Sequence, residues 1–399
     1  MDLDSIFSSV KIRSLFKDKK ILQSNYLPEN ILHRSEQIQN IASILAPSLL
    51  GEKPSNLFIY GKTGSGKTLS IQHVANELSK RSEKSKILRI EYINCKLKKV
   101  ADTEYRILAE LIKKLGSNVP ATGLPTDQLY FKFLEILQNS NEKLLILIFD
   151  EIDQAVKKIN DEFLYNLTRL NSELNNIQIT IVGISNDLKF LDMVDQRVRS
   201  SLSEEEIVFP PYNAVQLQDI LKKRADQAFK PNIINEGVIA KCAAYAAREH
   251  GDARRALDLL RVAGELAERN SHNKIQISHI DQANEKIERD KILDVVETGT
   301  KQFQVILYSI IELVDKHKNN NIFTGDIFDF YESLSKQIKN DILTQRRVSD
   351  IIAELDMLGL INTRVISKGR HGRMREIKLS ISNNIKDKSK EILKDSLGL

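Results

Sequence analysis

The sequence predicts an α/β chain in three parts: a parallel sheet with helices on both faces, an all-helical module, and a C-terminal winged helix-turn-helix. Three observations predict it. From Asn56 to about Tyr212, apolar strand-like runs alternate with amphipathic helical periods, the pattern of parallel strands joined by crossover helices. Between Asn213 and about Arg289 only helical periods follow one another. Thereafter three helical periods lead into two short strand candidates joined by a basic, glycine-containing turn.

Residues 1–25 carry Lys11, Arg13, Lys17, Lys19 and Lys20 among scattered apolar residues without sustained periodicity, and are expected to form an N-terminal arm. Strands are expected at 57–60, 87–93, 144–149, 177–184 and 207–209, within a sheet domain spanning 26–212 that Pro210 and Pro211 close. Helical periods at 215–229, 236–248, 252–269 and 278–287 make a helical domain over 213–292. The third domain, 293–385, has helices at 303–314, 327–334 and 344–358, then strands at 361–366 and 374–379; residues 386–399 are expected to be a tail.

A chain of 399 residues with 41% hydrophobic and 28% charged residues suits a protein with several cores. It contains no apolar run of membrane-spanning length, and Asp2 and Asp4 stand where a signal peptide needs a basic start, so a cytoplasmic protein without a membrane partner is expected. Cys95 and Cys242 are too far apart in sequence for a metal-ligand pair and are expected to be small buried hydrophobes. The net charge of +5 is modest, so its location matters more than its sum.

Residues 61–68, Gly-Lys-Thr-Gly-Ser-Gly-Lys-Thr, follow one strand and open a helical period at Ile71, Val74, Ala75 and Leu78. This strand-loop-helix setting is what a phosphate-binding loop requires. Backbone N–H groups around Gly61, Lys62, Thr63, Gly64, Ser65 and Gly66 can converge on phosphate oxygens, and the helix start at Lys67, Thr68 and Leu69 adds favourable partial charge. Lys67 then reaches the β- and γ-phosphates of ATP, and Thr68 ligates Mg²⁺. The run 144–149 ends in Asp150 and Glu151, placing two carboxylates at the tip of a buried strand. Asp150 is expected to hold Mg²⁺ and Glu151 to polarise an attacking water. Asn186, at the end of the next strand, can hydrogen-bond that water or the γ-phosphate. Arg197, Arg199 and Arg254 are candidates for stabilising charge on a transferring phosphoryl group.

With these pieces in place, the chain resembles the archaeal origin-recognition and replication-initiator family of AAA+ ATPases. The likeness is carried by residues 26–37 (Tyr-Leu-Pro-Glu-Asn-Ile-Leu-His-Arg-Ser-Glu-Gln), 61–68, Ile148-Phe-Asp-Glu-Ile-Asp, Ile184-Ser-Asn-Asp, Arg197-Val-Arg-Ser-Ser-Leu, Ile207-Val-Phe-Pro-Pro-Tyr and 251–261 (Gly-Asp-Ala-Arg-Arg-Ala-Leu-Asp-Leu-Leu-Arg). The resemblance implies that Leu32, His33 and Arg34 lie near the adenine base, that Asn186 is a first sensor, and that Arg254 is a second sensor from a helical lid. One of Arg197 and Arg199, with Arg199 favoured, corresponds to the finger that acts on a neighbour's nucleotide. Ser35 departs from the family's usual Glu after His-Arg. The initiator-specific insertion is expected near 117–130, here without Lys or Arg.

The hairpin region carries Arg364, Lys368, Arg370, Arg373, Arg375 and Lys378 against Glu376 alone, with His371 at its tip, which suits a phosphate backbone or a narrow minor groove. Thr344 is expected to cap the preceding helix, leaving Gln345, Arg346 and Arg347 in the first turn of a recognition helix. The resemblance then implies a weak ATPase that binds double-stranded origin DNA, self-associates or joins a paralogue there, and helps load the minichromosome-maintenance replicative helicase; a nucleoid-associated cytoplasmic protein follows. Two other readings use the same parts. A protein-remodelling motor needs pore aromatics, which 96–103 lacks, and a transcription regulator would use the same winged helix, either alone or in addition.

Overall fold

Five parallel strands, β1 (Asn56–Gly61), β2 (Leu88–Asn94), β3 (Leu144–Asp150), β4 (Gln178–Ser185) and β5 (Glu204–Phe209), form one sheet in the order β2-β3-β4-β1-β5. The computed structural model describes residues 14–24, 26–96, 103–120, 123–202, 204–316, 322–367 and 373–399, in two units, Met1–Ile280 and Asp281–Leu399. Every residue of β1 and β3 is buried, because helices cover both faces and leave no side for polar residues. Alternate β3 side chains go to opposite cores: Leu145, Leu147 and Phe149 to one, Leu144, Ile146 and Ile148 to the other. Its register sets Asp150 opposite Asn94 on one side and Ile184 on the other, so the carboxyl ends of β2, β3 and β4 gather at one rim.

The helices accompanying this sheet are α1 (Ser35–Leu45), α2 (Lys67–Ser82), α3 (Glu104–Lys114), α4 (Thr126–Gln138), α5 (Ile152–Ile159), α6 (Glu162–Glu173) and α7 (Gln196–Leu202). One core takes Ile41 from α1 and Ile71, Val74 and Leu78 from α2; the other takes Leu108, Phe133 and Phe163 from α3, α4 and α6. Strand β5 begins three residues before the expected 207. Glu204, Glu205 and Glu206 hid it, since an edge strand tolerates charges that a central strand does not. Part of the expected insertion, 121–122, lies outside the described residues, as do 97–102.

A helical layer follows, with α8 (Ala214–Ala228), α9 (Val238–Arg248), α10 (Ala253–Arg269) and α11 (Ile277–Thr298). The arm expected over 1–25 is corrected from residue 14 onward. Leu15 and Phe16 are buried, the Phe16 ring stacks 4.6 Å from Phe229, and the Leu15 N–H donates to Glu268 at 2.7 Å. Leu15, Phe16, Ile21 and Leu22 therefore belong to this layer's core; too few apolar positions for a helical period concealed them. The expected limit at 292 falls inside α11, which runs on without a break.

In the second unit α12 (Lys301–Lys316), α13 (Thr324–Gln337) and α14 (Gln345–Met357) pack with the antiparallel strands β6 (Ile322–Phe323), β7 (Ile361–Ser367) and β8 (Arg373–Leu379). Thr344 occupies the N-cap position of α14, but its side chain makes no capping hydrogen bond, contrary to expectation. The expected tail at 386–399 is also corrected: α15 (Asn383–Leu397) buries Leu393 and Leu397 in the same core. The ammonium groups of Lys386 and Lys390 each donate to the Asp315 carboxylate at 2.7 Å, so two of the lysines that gave the segment a solvated look are ion-paired inward. Among the described residues no helix is long and apolar enough to cross a membrane. Both cysteines are buried, as expected.

Replacing Leu393 by Ala should lower the stability of the second unit by about 2–5 kcal/mol, the usual cost of emptying a buried leucine site. Urea unfolding of the variant with an unchanged midpoint would return 386–399 to the status of a tail.

Candidate functional site

A cavity of about 480 Å³ opens at the rim of the sheet, between the 61–68 loop and the helical layer. Thr63, Gly64, Gly66, Lys67, Thr68 and Leu69 line it from the loop, Asp150 and Glu151 from the end of β3, and Asn186 from beyond β4. Ile220, Arg254 and Leu257 face it from the helical layer. These positions, all picked out along the sequence except Ile220 and Leu257, are thus brought together from four separate elements.

Lys67, nearly buried, donates from Nζ to the carbonyls of Gly61 at 2.7 Å and Lys62 at 3.0 Å and to Asn186 Oδ1 at 2.8 Å. Burial pulls its ammonium down to about 8; Arg254 adds to that fall, while Asp150 and Glu151 oppose it. Thr68 Oγ1 donates to Asp150 Oδ2 at 2.9 Å, the Tyr92 hydroxyl donates to the same oxygen at 2.5 Å, and the Glu151 N–H donates to Asp150 Oδ1 at 3.0 Å. Glu151 has a left-handed backbone, φ 55°, and its carboxylate lies 3.7 Å from Lys96 Nζ. A hydroxyl and a carboxylate beside a buried ammonium form a hard-oxygen set that fits Mg²⁺ and the phosphates of a nucleotide. Thr68 and Asp150 would hold the ion, which when bound neutralises charge on the β- and γ-phosphates.

The helical layer closes on the loop through the backbone. Gly251, at φ 69°, lies so close to Tyr212 that a Cβ would overlap its carbonyl. Asp252 caps α10 by accepting from the N–H groups of Arg254 and Arg255 at 2.8 and 3.2 Å. The Ala253 N–H donates to the Gly64 carbonyl at 3.3 Å, and the Asp252 carboxylate fills the space where a side chain on Gly64 would go. Arg254 is thereby delivered into the cavity.

Several expected positions are placed differently. Leu32 lines the cavity, whereas His33 pairs through Nε2 with Asp219 at 3.0 Å and Arg34 is buried behind the loop. The Arg34 guanidinium donates to the carbonyls of Ser65 at 2.8 Å, His33 at 3.1 Å and Pro210 at 2.5 Å, and lies 3.8 Å from the centre of the Tyr212 ring. It braces the loop instead of facing a base, because a guanidinium can satisfy several buried carbonyls at once. Gly61, Lys62 and Ser65 shape the loop without lining the cavity. Arg199 and Arg197 lie outside it: Arg199 is 3.5 to 3.8 Å from Glu204, Glu206 and Asp192, and the largely exposed Arg197 pairs with Asp195.

Tyr92 and Asn94, which also line the cavity, were not anticipated. Their signal was the two-residue spacing at the end of β2, which puts both on one face beside the acidic strand tip. Lys223, Arg224 and Gln227 of α8 join them and carried no local signature.

In the second unit Gln345, Arg346 and Arg347 are all exposed on the first turn of α14, and Arg375 is exposed on β8. Lys368, Arg370 and His371 lie outside the described residues, as does the side chain of Arg373.

Residues 51–191 match an AAA domain, residues 218–285 a Cdc6 AAA+ ATPase-type lid domain, and residues 294–388 a CDC6 C-terminal winged helix domain. The chain is similar to an "ORC1-type DNA replication protein" of Pyrococcus furiosus, 49% identical over 96% of this chain and 91% of that one. It is also similar to "ORC1-type DNA replication protein 1" of Methanosarcina mazei, 48% identical over 98% and 94%. Among solved structures, the Aeropyrum pernix ORC1 protein in complex with DNA superposes with a TM-score of 0.84 and 40% identity, covering 95% of this chain and 97% of that one.

Phosphate binding needs Lys67 charged, and an approaching phosphate raises its proton affinity above the free value of about 8. Nucleotide binding should therefore take up a proton: affinity is full below pH 7 and falls as pH rises through 8, by up to about tenfold per unit. Fluorescent-nucleotide titrations from pH 6.5 to 9.5 read this directly; a flat profile contradicts it.

Proposed function

We propose, from the premise that this chain belongs to the ORC1-type family of AAA+ replication proteins, that it is an ATP-dependent initiator whose slow hydrolysis acts as a switch. Family membership makes it a nucleotide-binding ATPase; the slow rate, the individual residue roles and the partners are our reading. The observation that carries the reading is the seating of α10 on the phosphate loop, because it joins the state of one cavity to the position of the helical lid.

In this reading Lys67 holds the β- and γ-phosphates, Glu151 accepts a hydrogen bond from the attacking water, and Asn186 orients that water or the γ-phosphate. Arg254 senses the γ-phosphate from the lid. Arg199 serves as the finger toward a second protomer's nucleotide; its position outside the cavity of its own chain supports that role. The winged helix grips duplex DNA at an origin through Gln345, Arg346, Arg347 and Arg375, together with Lys368, Arg370, His371 and Arg373. The exposure of the first turn of α14 and the DNA-bound relative support this. A copy or paralogue bound beside it and the minichromosome-maintenance helicase complete the proposed assembly, in the cytoplasm at the nucleoid.

Footprinting on duplex from the organism's own origin should show protection whose extent differs between ATP and ADP. Protection confined to promoters, with none at replication start sites, overturns the initiator reading. Replacing both Arg346 and Arg347 by Ala should weaken binding and cut the slope of log affinity against log salt by about two. An unchanged slope removes the first turn of α14 from the interface.

A further inference from the structure

We propose that Tyr92 is a positioning residue for the metal site: its phenol holds the Asp150 carboxylate in the orientation that accepts magnesium. The inference rests on the reading that Thr68 and Asp150 hold the ion. Tyr92 stands on β2, where its register partner on β3 is Ile148, two residues short of Asp150. A serine or threonine at this position would fall short. The length of the phenol carries its hydroxyl forward to Asp150 Oδ2, 2.5 Å away.

That contact completes an asymmetric set. Oδ2 receives the hydroxyls of Tyr92 and Thr68, while Oδ1 receives the Glu151 N–H at 3.0 Å. The two hydroxyl donors are not equivalent. Thr68 offers an oxygen lone pair to the metal, whereas Tyr92 reaches the carboxylate from β2, with Asn94 as a second side-chain partner. A carboxylate held by three donors has its plane set before the ion arrives, and the ion need not order it. Partners of this kind behind a metal ligand are commonly worth 10- to 100-fold in metal affinity.

The alternative is that the carboxylate merely satisfies a half-buried phenol. Tyr92→Phe separates the two, since it keeps the ring and removes one hydroxyl. With a fluorescent ADP analogue, nucleotide affinity is measured in EDTA and then across a magnesium titration. The variant should need about tenfold more magnesium for half of the metal-dependent gain, with its EDTA affinity within about twofold of the unmodified chain. Equal magnesium half-saturation in the two chains overturns the proposal, and so does a matching loss in EDTA, which would place Tyr92 on the nucleotide or on the fold. A third outcome is distinguishable: an unmodified chain that gains nothing from magnesium sinks the metal site itself, and the role of Tyr92 with it.

Discussion

The contact on which the functional architecture turns is made by main-chain atoms alone: the first peptide of the lid helix α10 resting on the carbonyl of Gly64. Glycine on both sides lets it form, Gly251 against Tyr212 and Gly64 against Asp252. Side-chain contacts can adjust by changing rotamer, but a backbone contact of this kind shifts only when a whole element shifts. Lid and phosphate loop therefore read each other's position without an intermediary. A ligand that favours one separation of loop and lid over another will shift the balance between those states.

Charge around the cavity is organised in layers. Lys67 and Arg254 face it, Asp150 and Glu151 oppose them, and Arg34 stands behind with its guanidinium between three carbonyls and an aromatic face. An unpartnered buried charge would be costly, and those hydrogen bonds and the Tyr212 ring offset the loss of water. Burial lowers the Arg34 pKa from its ordinary value, but an arginine has far to fall before it discharges. The brace is thus permanent, whereas Lys67 sits close to its titration point.

The parts of the site that could be read from the sequence are those in which function and fold lie in one short segment. The loop 61–68 and the strand ending in Asp150 and Glu151 carry their own context, so spacing alone located them. Arg34 was assigned to the base because a segment's neighbours in space do not appear in its spacing; Ser65, Pro210 and Tyr212 reach it from three places along the chain. Tyr92 is similar, since its partner stands on a strand 58 residues away. Among the elements, the start of β5 and the whole of α15 escaped notice for a shared reason. Their outward positions are so heavily charged that the few inward apolar residues no longer dominate the local pattern.

The two thiols have a practical side. Cys95 follows the end of β2 with its N–H on the Asp150 carbonyl, and Cys242 sits inside α9; burial pushes each pKa up to about 12. At neutral pH both therefore stay as thiols, and the thiolate is the form that alkylating agents and oxidants attack. The chain therefore offers a chemically quiet background. A single cysteine engineered onto an exposed position of the lid would be the one exposed thiol beside two buried ones, so that dyes or spin labels could follow lid movement without first stripping native side chains.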